Sequence, residues 1–261
     1  MPLVRTILER FTAPHLPGSL LGALNPRWGS RFAGGQARGV IRSIQPTGEH
    51  GAVIKIAPPV GWPRPAPGQF IALGVEVDGV LLTRCFTVTS LPDSKLIEIT
   101  VQAHSSGTVS KQLVHLTRPG DSVVVGKPEG DFVLERSTQQ ATKPLLFVTA
   151  GSGLTPAVAM IRALIAEQAK SAENSNVPKV EPDVVVVHFV RTKSALLQAE
   201  ELKKWSLHFD WISVVIHETR DSDDNPISSS RLSPDSLYAA APDWTDRKSY
   251  VCGPQEMLES A

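Results

Sequence analysis

The sequence predicts a β + α/β chain, an antiparallel β-barrel followed by a doubly wound parallel sheet covered by helices. Three observations predict it. Within residues 37–141, short runs alternate apolar and polar side chains and are separated by Gly- and Pro-rich turns. Within residues 142–261, nearly continuous apolar runs alternate with helical stretches, the pattern of parallel strands buried on both faces. At 261 residues the chain also exceeds an ordinary single domain.

Each element follows in order. Residues 1–36 form an N-terminal extension in which Leu3, Val4, Ile7, Leu8 and Phe11 recur at helical spacing, followed by the Pro/Gly-punctuated PHLPGSLLGALNPRWGS. That stripe can pack on its own domain, lie on a membrane surface, or cover part of a partner. The barrel strands are RGVIRSI, GAVIKIA, GQFIALGVEV, GVLLTRCFTVTS, KLIEITVQ and DSVVVGK, with turns such as PTGEHG between them. One helical piece, VSKQLVHL, interrupts the series. The second domain reads LLFVTA, a helix over 155–170, DVVVVHFV, a helix over 194–204, WISVVIH, a loop with a short helix, and SYVCG.

Composition removes several function classes. Lys plus Arg equals Asp plus Glu, 26 of each, so no basic excess points to nucleic acid. The two cysteines, Cys85 and Cys252, sit in unrelated contexts, which fits a reducing cytoplasm rather than a disulfide framework. No Cys or His cluster has the spacing of a metal or iron–sulfur site. The N-terminus does not read as a signal peptide, and no apolar run approaches membrane-spanning length.

Four motifs carry chemistry. In LLFVTAGSGLTP, Gly151, Ser152 and Gly153 end a strand, Thr155 is expected as helix N-cap and Pro156 as the first helical residue. Such a turn lets backbone N–H groups and a helix dipole face an anion; by itself it is equally a tight turn with no ligand. In RCFTVTS, alternation puts Arg84 and Phe86 on one face, where a guanidinium and a ring can meet one ligand; alone, this is an amphipathic strand. In SSGTVSKQL, Gly107, Thr108 and Ser110 open the helical piece, as an anion site or a simple cap. YVCGP brings Cys252, Gly253 and Pro254 to the carboxyl edge of the sheet, where ligands of open parallel sheets bind.

In this order the pieces RCFT, GTVS, GSGLTP and CGP, with PGQF and GDFVL around them, resemble the ferredoxin–NADP⁺ reductase superfamily over roughly residues 37–261. NPRW and GVEVDGVLLTRCFT are similar to the branch of flavin reductases that feed electrons to fatty-acid desaturases and oxygenases. The resemblance implies an FAD-binding barrel, an NAD(P)-binding α/β domain, and a flavoprotein oxidoreductase passing electrons to an iron–sulfur protein or domain. Arg84, Gly107, Thr108 and Ser110 would hold the FAD pyrophosphate. Phe86 would lie against the isoalloxazine, and Thr87 would hydrogen-bond near its reactive nitrogen. Gly151, Ser152, Gly153 and Thr155 would cradle the dinucleotide phosphates; Cys252, Gly253 and Pro254 would flank the nicotinamide, with Thr87 and Cys252 nearest the chemistry.

Two departures from the family pattern stand out. Phe86 replaces the usual Tyr, keeping the ring and losing the hydroxyl. After CGPQEMLESA the family ordinarily continues through an edge strand, and a plant-type 2Fe–2S domain follows in this branch, so a C-terminally truncated reductase is expected. Arg191 and Lys193 in HFVRTK, Arg220 in IHETRD and Arg231 in SSRLS are cations suited to a 2′-phosphate, which favours NADPH, with NADH as the alternative. The expected setting is cytoplasmic, with peripheral contact to the inner face of the membrane through residues 1–36 left open beside packing of that stripe on its own domain. Two other readings stay open: a diaphorase using free flavin as substrate, and a non-catalytic nucleotide-binding docking module.

Overall fold

The computed structural model describes residues 37–135, 143–173, 181–221, 225–226 and 231–260. The apolar stripe expected in 1–36 and the domain boundary expected at 141 therefore lie outside the described residues. The described residues form two compact units: one comprises residues 37–46 with His50–Leu134, the other Thr47–Glu49 with the described residues from Glu135 onward.

The first unit is the expected barrel. Its strands are β1 (Arg38–Thr47), β2 (Gly51–Ala57), β3 (Phe70–Val77), β4 (Val80–Thr87), β5 (Ile97–Gln102) and β6 (Ser122–Val125), in the order β4-β3-β6-β1-β2-β5. The recorded pairings are antiparallel. Beyond the end of β4, a bridge joins Val88 to Ile99 and the Thr89 N–H donates to the Glu98 carbonyl (2.8 Å), closing the sheet on itself. Alternate positions point inward and pack as one cluster, with Ile54, Ile56, Ile71, Leu73, Ile97 and Ile99 all fully buried. Burying each such side chain stabilises the fold by about 1.5–3 kcal/mol.

The helical piece expected at 109–116 is split. A four-residue helix, α1 (Thr108–Lys111), runs into a wider π turn over Gln112–Leu116, in which the Thr117 N–H and hydroxyl both donate to the Gln112 carbonyl (2.9 and 2.8 Å). Val109 and Leu113 from this piece are buried in the barrel cluster, which fixes the Gly107–Ser110 motif against the barrel.

The second unit is a four-stranded parallel sheet in the order β10-β7-β8-β9. It comprises β7 (Leu145–Ala150), α2 (Leu154–Glu173), β8 (Val184–Val190), α3 (Ala199–His208), β9 (Ile212–Glu218), α4 (Pro234–Ala240), β10 (Lys248–Cys252) and α5 (Gln255–Ser260). The chain steps from β7 to β8 to β9 in one direction, then returns to β10 on the far side of β7. With right-handed crossovers, α2 and α3 cover one face and α4 the other. Leu146, Val148, Val185, Val187 and Phe189 accordingly pack with Leu237 and Ala241 on the α4 side. β8 is buried at every position, as its unbroken apolar run requires.

Two boundaries differ from expectation. A 3-10 turn over Gly151–Gly153 starts the helical winding directly from extended Ala150, so Thr155 lies inside the helix and is not its N-cap. The helix expected at 194–204 begins only at Ala199, after a short 3-10 turn over Lys193–Ala195. Leu196 and Leu197 are buried there, and Gln198 takes a left-handed conformation (φ 52°) to turn the chain into α3. Burial of that leucine pair outweighs its helix propensity.

Candidate functional site

On the barrel, the motif residues gather around the end of β4. Phe70 of PGQF pairs with Thr87, and its backbone exchanges hydrogen bonds with Glu129 (3.0 and 2.9 Å), just before GDFVL. Gln69 ties the same corner: its carboxamide accepts from the Ala66 N–H (2.9 Å) and donates to the Gly130 carbonyl (3.2 Å). Arg84 and Phe86 do share a face, opposite the buried Leu73 and Ile71. Phe86 is half-buried and packs partly on the barrel core, so part of its ring is committed there. Arg84 is exposed and donates to the Thr83 carbonyl (2.7 Å); no carboxylate among the described residues pairs with it. A guanidinium on an otherwise apolar face without an anion suits a pyrophosphate. Thr87 is buried.

The GTVS motif divides in two. Gly107 and Thr108 line an open cleft of about 250 Å³ together with Val77, Lys111 and Gln112. Ser110 turns inward instead: its Oγ occupies the place a Gly107 Cβ would take, and it accepts from the His104 N–H (3.5 Å). Ser110 thus ties the loop, while Gly107 and Thr108 face the space. The cleft is smaller than the roughly 300–1,000 Å³ of a pocket enclosing a whole drug-sized ligand, and Arg84, Phe86 and Thr87 do not line it. Val77, Lys111 and Gln112 carried no signal in the sequence; for Gln112 the reason is that the π turn that brings it round has no sequence signature.

On the parallel sheet, the two remaining motifs meet. β10 and β7 are neighbours, with Cys252 paired to Thr149, and the turns leaving their carboxyl ends touch. A Cβ on Gly153 would lie 2.6 Å from the Cys252 carbonyl carbon and 2.9 Å from the Gly253 nitrogen, so only glycine fits; Gly151 before it has φ 53°. This is the point where the strand order reverses, the crevice in which open α/β sheets bind ligands. The N-terminus of the 20-residue α2 opens beside it. Thr155 is buried and its hydroxyl donates to the Ser152 carbonyl (3.0 Å), bracing the turn rather than facing outward. The Pro254 carbonyl accepts from the Met257 and Leu258 N–H groups, starting α5.

Burial pushes the Cys252 thiol up to about 12, so it stays protonated at any working pH. A neutral thiol has little nucleophilic character. Behind it, Thr149 Oγ1 lies 2.8 Å from His188 Nδ1, and both residues are buried. Burial pushes His188 down to about 4, against the opposing effect of the Thr149 backbone, so the imidazole is neutral.

The cations expected for a 2′-phosphate separate into three cases. Arg191 and Arg220 are side by side, the Arg220 N–H donating to the Arg191 carbonyl (2.9 Å) just past the ends of β8 and β9. Lys193 is engaged by Glu218: its backbone N–H donates to Oε2 (2.9 Å) and its ammonium lies 3.3 Å from Oε1. The backbone hydrogen bond from Lys193, with smaller help from its ammonium, holds the Glu218 carboxyl below its usual range. Arg231 is exposed just before α4 and has no polar partner among the described residues.

Known proteins match this architecture. Residues 64–134 match the oxidoreductase FAD-binding domain and residues 147–261 the oxidoreductase NAD-binding domain. An NADPH oxidoreductase of Mycobacterium tuberculosis is 31% identical over 263 residues, covering 99% of this chain and 63% of its own length. A glycine betaine monooxygenase reductase subunit of Chromohalobacter salexigens is 29% identical over 199 residues, covering 74% of this chain and 50% of its own. The chain thus spans less than two thirds of these relatives. Among solved structures, a ferredoxin–NADP⁺ reductase from Plasmodium falciparum shares the fold with a TM-score of 0.69 at 13% identity, covering 87% of this chain and 90% of that one. With an oxidoreductase FAD-binding domain followed by an oxidoreductase NAD-binding domain, together matching most of the chain, the chain belongs to the flavoprotein oxidoreductases built from these two domains and has the fold of ferredoxin–NADP⁺ reductase.

Proposed function

We propose that this chain oxidises NADPH through FAD and passes the electrons to an iron–sulfur protein or domain serving an oxygenase or a desaturase. The observation that carries the reading is the crevice where Gly153 backs onto the Cys252 backbone at the sheet's reversal point. FAD and NADPH, when bound, would supply the redox chemistry of hydride transfer and one-electron release. The chain's own residues bind and orient. Arg84 neutralises the FAD pyrophosphate, Gly107 and Thr108 line the cleft that takes one end of the cofactor, and Thr87 offers a hydroxyl at the end of β4. Backbone N–H groups of Gly151–Gly153 and the start of α2 hold the nucleotide pyrophosphate. The neutral thiol of Cys252 gives shape beside the nicotinamide without competing as a nucleophile.

Arg191 and Arg220, adjacent at the strand ends, support NADPH over NADH, as does the likeness to the mycobacterial NADPH oxidoreductase. The monooxygenase reductase relative supports an oxygenase as the final consumer, and the likeness of NPRW and GVEVDGVLLTRCFT to the desaturase branch keeps a desaturase beside it. The unpaired Cys85 and Cys252 fit a reducing compartment, so we place the protein in the cytoplasm, with the stripe in residues 1–36 available to a membrane face or a partner. A second reading, a diaphorase that uses flavin as a diffusing substrate, draws on Phe86, which lacks a hydroxyl and spends part of its ring on the core. Two assays decide: steady NADPH oxidation with a one-electron acceptor, and FAD retention through gel filtration. Retained FAD with rapid NADPH-dependent turnover fits the proposal. Flavin lost on the column, with activity restored by added flavin, fits the diaphorase.

A further inference from the structure

We propose that Thr149 and His188 are a positioning pair that holds the Gly151–Gly153 turn and the Cys252 backbone in register for hydride transfer; this rests on reading that crevice as the nucleotide site. β8 reads VVVVHFV, and His188 is the one polar residue in it. It pairs in register with Thr149 on β7, whose other neighbour is Cys252 on β10. Val148, Val187 and Val251 face α4, so by alternation Cys252, Thr149 and His188 form one row on the opposite face. Cys252 and Thr149 are the last pair between β10 and β7, and β7 ends one residue later, at Ala150. The bond between Thr149 Oγ1 and His188 Nδ1 (2.8 Å) therefore clamps β7 to β8 at the point where the chain leaves for the turn.

Stability gives no reason for the pair. Replacing both partners of a buried hydrogen bond by apolar groups of the same shape is nearly neutral or stabilising. What the bond supplies is geometry, because a satisfied buried polar pair accepts far fewer arrangements than an apolar contact. The turn needs such precision: it packs so closely on Cys252 and Gly253 that no Cβ fits at Gly153. A shift of the β7 end against β8 passes directly into the turn and the Cys252 carbonyl.

The test uses Thr149→Val, which keeps the shape and removes the bond, and Thr149→Ser, which keeps the hydroxyl. His188→Asn keeps a polar nitrogen near Nδ1, and His188→Leu removes it. Anaerobic flavin bleaching is followed at saturating NADPH, with NADPH affinity, FAD content and the thermal midpoint measured alongside. The expected result is a limiting rate about 10-fold slower in Thr149→Val and His188→Leu, since misplacement by 1 Å can cost as much as about 10²-fold. FAD content stays at the wild-type level, NADPH affinity changes much less than the rate, and Thr149→Ser and His188→Asn recover most of the loss. A Thr149→Val protein that bleaches at the wild-type rate overturns the proposal, as does a Thr149→Ser protein as slow as Thr149→Val. Wild-type protein that holds FAD without bleaching overturns the reading of the crevice, and this proposal with it.

Discussion

Cys252 shows how residue-level physics narrows a role. With its thiol pushed up to about 12 by burial, it has no anionic form to attack with, so its contribution is position. Cys252→Ala is expected to slow flavin reduction at saturating NADPH by about 10-fold with NADPH affinity unchanged, and rapid-mixing absorbance measures it; an unaltered rate removes Cys252 from the reacting centre. Gly153→Ala is harsher, because the new Cβ meets backbone rather than a flexible side chain. That variant should retain FAD in the barrel yet bleach with NADPH about 10²-fold more slowly or not at all, measured the same way. His188 sets an acid limit. Its folded value, about 4, lies below the ordinary 6.5, so the unfolded chain takes up the proton first as pH falls. The stabilisation is complete above the ordinary value and is lost progressively down to about pH 4, amounting to about 3 kcal/mol. Urea midpoints compared at neutral and mildly acidic pH should therefore fall less in His188→Asn than in the wild type.

At the scale of elements, the strands were legible because burial on one face writes alternation into the barrel and burial on both faces writes VVVVHFV into the parallel sheet. The start of α3 was not, since Leu196 and Leu197 read as helix formers until the core that buries them is in place. Hydroxyl direction was hidden as well. Ser110 and Thr155 sit in phosphate-like motifs, yet one ties its own loop and the other braces the Ser152 carbonyl. Thr149 and His188 stand 39 residues apart, and only the parallel register joins them. Paired strand ends bear on cofactor choice: Arg191→Ala with Arg220→Ala should raise the apparent KM for NADPH by about 10-fold or more, as expected when charge-assisted bonds to a phosphate are lost. The KM for NADH should barely move, and the NADPH effect should shrink at high salt as surface charges are screened. Equal losses for both nucleotides would assign the arginines another task.

For the whole molecule, motif order was the readable signal: RCFT and GTVS both lie on the barrel, and GSGLTP and CGP, far apart in sequence, meet in one crevice on the sheet. The sequence could not show that the last two motifs touch through backbone, because that follows from β10 lying next to β7. An FAD-binding and an NAD-binding domain in one chain lead to the proposed activity, in which NADPH bound to this chain would reduce flavin bound to this chain. An absorption spectrum of the purified protein before and after anaerobic addition of NADPH tests it most directly. Visible flavin bands are expected in the protein as isolated, together with their bleaching on addition of about one equivalent of NADPH. Bands that persist under excess NADPH would contradict it, and so would a protein that carries no flavin and binds none when FAD is supplied.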